Sequence, residues 1–179
     1  MEERSELTEQ RYLNLEKLKN LGVNPFSESF KDVETVEAVK KDFKEARNCR
    51  LAGRIMAQRL MGKSIFMDLK DSTGKIQLYF KKDNVGEDAF NILKIMDIGD
   101  IVGVAGQLFK TRTGEDTLQV TEFKIVSKSL LALPEKWHGL KDVETRFRQR
   151  YVDLIVNDSA RDKFKSRIKL IQCIREELV

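Results

Sequence analysis

A chain of 179 residues with 41% hydrophobic and 35% charged side chains is long enough for one sizeable core and too apolar to be disordered. Its 33 basic and 29 acidic residues leave a formal net charge of +4, which excludes a uniformly cationic coat; a nucleic-acid partner would have to meet a local patch. No apolar run approaches the ~20 residues of a membrane span, and the polar, acidic start MEERSELTEQ is neither a signal nor a transit peptide, so the expected location is the cytoplasm.

Residues 3–21 read as a helix with Leu7, Arg11, Leu15 and Leu18 on one stripe, stopped by Gly22 and Pro25. Residues 33–46 read as a second helix with Val36, Val39, Phe43 and Ala46 on one face. Near residue 50 helical spacing gives way to short alternating runs broken by Gly and Asp turns. Five strands are predicted, at 50–60, 64–70, 75–81, 100–110 and 117–127, with a helix at 85–96 between the third and fourth. Strand, strand, strand, helix, strand, strand is the order of the OB-fold, a five-stranded Greek-key barrel that often binds oligonucleotides. The expected fold class is therefore mainly β with flanking helices. Four segments follow: a helical extension (1–48), the barrel (49–128), a linker (129–157) and a further unit that begins at 158. That last unit opens with a helix whose stripe is Phe164, Ile168, Ile171 and Leu178, with Ser159 and Asp162 resembling a capping box. The chain stops inside this pattern, as a fragment would.

The second and third strands carry the chemistry. Ile65, Met67 and Leu69 share the core face of one, and Ile76, Leu78 and Phe80 that of the other. Phe66 then points outward with Lys75, Gln77 and Tyr79. An aromatic ring offers an unstacked base a platform worth about 1–3 kcal/mol. A carboxamide offers a donor and an acceptor together, which suits the edge of uracil. Phe66 and Tyr79 would equally serve as a cross-strand pair that stabilises the hairpin. On the fifth strand Leu118 and Val120 share one parity, and Phe123 and Ile125 the other. A bulge near Thr121–Glu122 reconciles them and would turn Glu122 toward the same groove, although a solvated glutamate is the plainer reading. Arg54, Arg59 and Lys63 offer phosphate or base contacts, a common feature of exposed strands.

Other motifs fail. Gly62-Lys63-Ser64 ends like a phosphate-binding loop, but Ala57 stands where its first glycine belongs and a strand follows. Cys49 and Cys173 form no CxxC pair, and with His138 the single histidine no zinc site is expected; two reduced thiols are the simple reading. His138 has no serine or cysteine nucleophile near it in sequence. The basic run Arg146–Arg150 has Asp142, Glu144 and Asp153 close by, which favours ion pairing over phosphate contact.

The segment WHGLKDVETRFRQRYVDLIVND (137–158) is similar to the stretch that follows the anticodon-binding domain in bacterial-type class II lysyl-tRNA synthetases. RYVDLI is shared more loosely with the aspartyl and asparaginyl enzymes, whereas HGL is characteristic of the lysyl group. RLMGKSIFMDLKDSTGKIQLYF (59–80), GDIVGVAGQLFKTRTGE (99–115) and RYLNLEKLKNLGVNPF (11–26) resemble the same family. The resemblance implies a domain that grips the anticodon loop of tRNA-Lys and reads its central uridine. It implies Phe66 as the stacking ring, Gln77 as the reading amide, Glu122 as an acidic partner and Arg59 as a basic contact. Arg54, Lys63, Lys75 and Tyr79 are candidates for further RNA contacts. It implies ATP, magnesium and a homodimer for the whole ligase. The helix from 158 looks like the start of the first class II motif; the second and third are missing, and Arg150 stands where the glutamate of the second would be. These 179 residues are then expected neither to bind ATP nor to activate lysine. A stand-alone OB-fold module for single-stranded nucleic acid and a fragment of an aspartyl- or asparaginyl-tRNA synthetase are the rival readings.

Overall fold

The structure is a computed structural model that describes residues 5–134 and 142–178. It divides into two compact units, Met1–Ala132 and Leu133–Val179. In the first, α1 (Glu6–Asn20) and α2 (Val36–Lys41) precede β1 (Asn48–Met61), β2 (Ser64–Lys70) and β3 (Lys75–Lys81). Two short helices, α3 (Lys82–Val85) and α4 (Glu87–Lys94), then lead to β4 (Ile101–Lys110) and β5 (Asp116–Ser127). The strands close in the order β1-β2-β3-β5-β4, with β4 pairing back onto β1. All pairs are antiparallel except β3 with β5. This is the OB-fold arrangement that the element order predicts.

Alternation builds the core. Leu51, Ile55, Ile65, Met67, Leu69, Ile76, Leu78, Phe80, Val104, Leu108, Leu118 and Val120 point inward, and Phe90 and Leu93 of α4 join the same cluster. β1 is long because it serves two neighbours: Asn48–Arg54 pair with β4, and Arg54–Met61 with β2. A register shift between Ile55 and Ala57 bends it from one to the other. The expected bulge in β5 is present, since Glu122 pairs with Ala105 and Val120 with Gly106, leaving Thr121 extra.

Three sequence expectations differ in detail. The helix expected at 85–96 is two, broken by Gly86 at φ 86°. The second helix ends at Lys41, and Ala46 lies in the left-handed region at φ 62°. Leu7 is 67% exposed, so α1 is anchored instead by Arg11, Asn14, Leu15 and Leu18.

A buried polar knot fixes that anchor. Arg11 donates from Nη1 to the carbonyls of Ser129 (2.9 Å) and Leu131 (3.1 Å), and from Nη2 to that of Ile98 (2.8 Å). Asn14 donates to the Asp97 carboxylate at 3.2 Å. Lys128, with no exposed side-chain surface, donates to Asp100 at 2.8 Å and also to Asp97. Asp100 in turn accepts from the backbone N–H groups of Asp97 and Ser129, both at 2.8 Å. At the other side of the sequence, Asp71 accepts from the N–H groups of Val36 (2.8 Å), Thr73 (2.7 Å) and Gly74 (2.7 Å). It thereby joins the start of α2 to the β2–β3 turn. Burial pushes its carboxyl up, but those hydrogen bonds outweigh it and hold the group below the usual carboxylate range.

The second unit holds α5 (Val143–Arg148), α6 (Arg150–Val156) and α7 (Asp158–Leu178). Part of the expected linker is thus helical. Both short helices turn about the buried Asp153, which accepts from Arg146 Nε at 2.8 Å, Asn157 at 2.6 Å and Arg150. Burial pushes the Asp153 carboxyl up; the hydrogen bonds from Asn157 and Arg146 and the nearby guanidinium charges prevail and lower it. Arg148 pairs with Glu144 at 2.7 Å, so the basic run is spent on ion pairs, as its acidic neighbours suggest. Trp137, His138, Gly139 and Leu140 lie outside the described residues. Among those described, no helix is long and apolar enough to cross a membrane. Both cysteines are free; burial, then the charge of Glu34, pushes the Cys49 thiol up to about 11.

Lys128→Met should lower the unfolding free energy by about 3–5 kcal/mol, because it leaves Asp100 charged, buried and without its cation. Urea unfolding followed by circular dichroism checks this.

Candidate nucleic-acid interface

The outer face of β1, β2, β3 and β5 presents three cross-strand rows. Arg59, Phe66, Tyr79 and Gln119 form one; Ala57, Asp68, Gln77 and Thr117 form the next; Lys70 and Lys75 begin a third. Strand alternation, reset by the irregularity in β1 for Ala57 and Arg59, puts all of them opposite the core parity.

The aromatic row is packed and half-buried. The Phe66 and Tyr79 rings have centroids 4.9 Å apart at 36°, and Phe109 meets Tyr79 edge-on at 5.9 Å. The Tyr79 hydroxyl lies 3.1 Å from Ser64 Oγ. Both the hairpin pairing and an open ring face are therefore served by one arrangement, since Phe66 keeps partial exposure.

Gln77 departs from the simple expectation of a side chain free in solvent. It is 7% exposed, yet its surroundings are polar rather than the apolar interior. Nε2 donates to Glu115 Oε2 at 3.0 Å, and Oε1 lies 3.1 Å from Thr117 Oγ1, whose single proton is shared between it and the Glu115 carbonyl, also at 3.1 Å. A carboxylate only accepts, so the amide must turn its nitrogen toward Glu115 and its oxygen toward Thr117. One N–H and one oxygen lone pair remain, in a fixed order, for an incoming partner.

Glu115 is the residue that sequence reasoning missed. It occupies the β4–β5 turn, where Thr111 N–H donates to its carbonyl and its own N–H donates to Thr111 Oγ1, both at 3.0 Å. Gly114 at φ 81° closes that turn. The parallel pairing of Gln77 with Thr117 then brings the start of β5 alongside β3.

Glu122 is elsewhere, and its expected place in the groove is corrected. The bulge does turn it outward, but opposite Ala105 of β4, where Arg50 reaches it at 3.4 Å. Arg54 pairs with Lys70 and so stands in the third row, but its guanidinium is engaged at the strand's other edge, where Nη1 donates to the Gly99 carbonyl at 2.6 Å. Burial lowers its pKa against the pull of Asp100. Arg59 and Lys75 both flank the site and share Asp68, at 3.3 Å and 3.2 Å. Lys63 is exposed in the β1–β2 turn.

The family model for the OB-fold nucleic acid binding domain matches residues 49–126. Over nearly its whole length the chain is also homologous to lysine–tRNA ligases. It is 48% identical over 180 residues to that of Thermoanaerobacter sp. (strain X514) and 45% identical over 180 residues to that of Clostridium botulinum (strain Hall). To the lysine–tRNA ligase of Carboxydothermus hydrogenoformans it is 44% identical over 179 residues. Each comparison takes in 99% of this chain and 36–37% of the relative, so the chain spans a little over a third of the length of these curated relatives. In OB-folds the β2–β3 face and the β1–β2 and β4–β5 loops take oligonucleotides. In this OB-fold domain those parts hold Phe66, Gln77, Lys63 and Glu115.

In the nitrogen–proton spectrum of the free chain, one Gln77 side-chain N–H should be shifted downfield and exchange slowly. Glu115→Ala should abolish both features while leaving the backbone amides of β3 in place.

Proposed function

We propose that the OB-fold domain binds the anticodon loop of tRNA-Lys and reads its central uridine, as part of a lysine–tRNA ligase. The observation that carries this reading is the Gln77 carboxamide, held at both ends by Glu115 and Thr117 beside the Phe66 ring. Uracil presents an N–H flanked by carbonyl oxygens; cytosine presents an acceptor beside an amino group. An amide free to turn over would pair with either. An amide whose nitrogen is tied to a carboxylate offers its remaining oxygen lone pair and N–H in one order only, and so prefers one base. Phe66 supplies the stacking surface, and Arg59, Lys63, Lys75 and Tyr79 border it for further base or phosphate contacts. The homology to lysine–tRNA ligases over 99% of the chain supports tRNA-Lys as the RNA.

Adenylation of lysine, with its ATP and magnesium, is assigned to parts of the ligase other than these 179 residues. The outer face is lined by rings, an amide and cations, with the Asp68 carboxylate among them. Pairing of two copies is assigned to the second unit, where Ile168, Ile171 and Ile174 of α7 are exposed along one helix.

Competition between anticodon stem-loops tests the reading. The loop with a central uridine should bind best, and cytidine in its place should weaken binding by about tenfold or more. Phe66→Ala should cost about 1–3 kcal/mol of affinity; an unchanged value would leave the ring a packing partner of Tyr79 alone. Equal binding of unrelated single strands would favour a general OB-fold module. In a separate assay, the purified chain should give no lysine-dependent exchange of pyrophosphate into ATP.

A further inference from the structure

Asp68 is an anion at the centre of a face that would bind a polyanion. Its side chain is 8% exposed, whereas those of Arg59 and Lys75 are 53% and 56% exposed. It lies in the same cross-strand row as Gln77, with Arg59 in the aromatic row on one side and Lys75 in the basic row on the other. Each carboxylate oxygen takes one cation: Oδ1 accepts from Arg59 Nη2 at 3.3 Å, and Oδ2 from Lys75 Nζ at 3.2 Å. Long cationic side chains on an exposed strand otherwise range freely and pair with whatever phosphate comes near. Here both are drawn in toward the row that holds the reading amide. In these contacts Arg59 uses one of its five N–H donors on Asp68 and Lys75 one of its three, so both keep donors for a bound nucleotide.

We infer that Asp68 is a positioning residue that sets specificity: it withholds Arg59 and Lys75 from the phosphate backbone and keeps them at the edge of the bound base. This rests on the base-reading role proposed above. The carboxylate trades phosphate attraction for discrimination.

The test uses the chain with Asp68→Asn, which keeps the shape and removes the charge, and Asp68→Glu, which keeps the charge. Asp68→Ser replaces the first if it does not fold, as judged by thermal melting. Stem-loops with central uridine or cytidine are titrated at several salt concentrations. With Asn, the plot of log affinity against log salt should steepen by about 0.7 for each cation set free onto a single-stranded phosphate. The preference for uridine should fall by about fivefold, the worth of one hydrogen bond, and Glu should restore most of it. An Asn variant with the wild-type slope and preference would overturn the inference while leaving base reading intact. So would a parallel loss of affinity for both loops, which marks a merely structural residue. A wild-type chain without base preference would sink both claims.

Discussion

A closed barrel leaves each strand residue two choices, inward or outward, and the choice alternates with every step. That constraint governs everything on the outer face. Because Ile65, Met67, Leu69, Ile76, Leu78 and Phe80 must fill the interior, Phe66, Asp68, Gln77 and Tyr79 must share the opposite surface. The alternation resets only at bulges. Leu51 and Ile55 of β1 point inward, so an unbroken strand would send Ala57 and Arg59 inward as well. The irregularity at Met56 reverses the phase, pairs Arg59 with Phe66, and delivers a guanidinium to the site. The bulge at Thr121 performs the same reversal on β5, but in a sector beside β4 and β1, and the residue that it turns outward meets Arg50. One extra residue thus has different consequences depending on which neighbours the strand has at that point.

The two polar clusters of the first unit differ in purpose because they differ in what remains unspent. Lys128, Asp97, Asp100 and Arg11 satisfy one another and nearby backbone groups, and pin α1 and the exit of β5 to the start of β4. The cluster at Gln77 is also shielded, but an amide has two donors and two acceptor sites, and Glu115 and Thr117 occupy one of each. Polar groups covered in this way avoid the cost of burial without being exhausted. On the proposed reading, preorganisation follows: the partner's hydrogen bonds are aimed before it arrives, and the ordering entropy is already spent in folding.

What the sequence made legible is what depends on local period. β2 and β3 are joined by a short turn, so their shared outer face follows from alternation alone, and Phe66, Gln77, Lys75 and Tyr79 could be assigned to it. The phase break between Val120 and Phe123 was equally visible. Glu115 was not, because it meets Gln77 across 38 residues through a parallel pairing that no local pattern announces. The signal was nevertheless within reach: an OB-fold sets β5 against β3, and the turn holding Glu115 feeds that edge directly. The bulge in β1 was hidden for a different reason. Met56 is apolar and buried, so the run Ile55-Met56 reads as ordinary core and the slipped phase leaves no trace. The short helices at 143–156 escaped because six or seven residues are too few to display a period, and their stability comes from a buried aspartate and its arginines.

A face built this way should gain little from charge alone. The cations beside Gln77 already have a carboxylate partner, so bringing up a phosphate replaces one ion pair with another instead of creating a new one. Counterion release, the usual source of sequence-independent affinity, is correspondingly reduced. On the proposed reading, what remains is stacking on Phe66 and hydrogen bonding to an oriented amide, and of these only the second distinguishes one pyrimidine from another. The modest net charge of +4 is consistent with that division, since a surface meant to hold any strand would be richer in unpaired lysine and arginine.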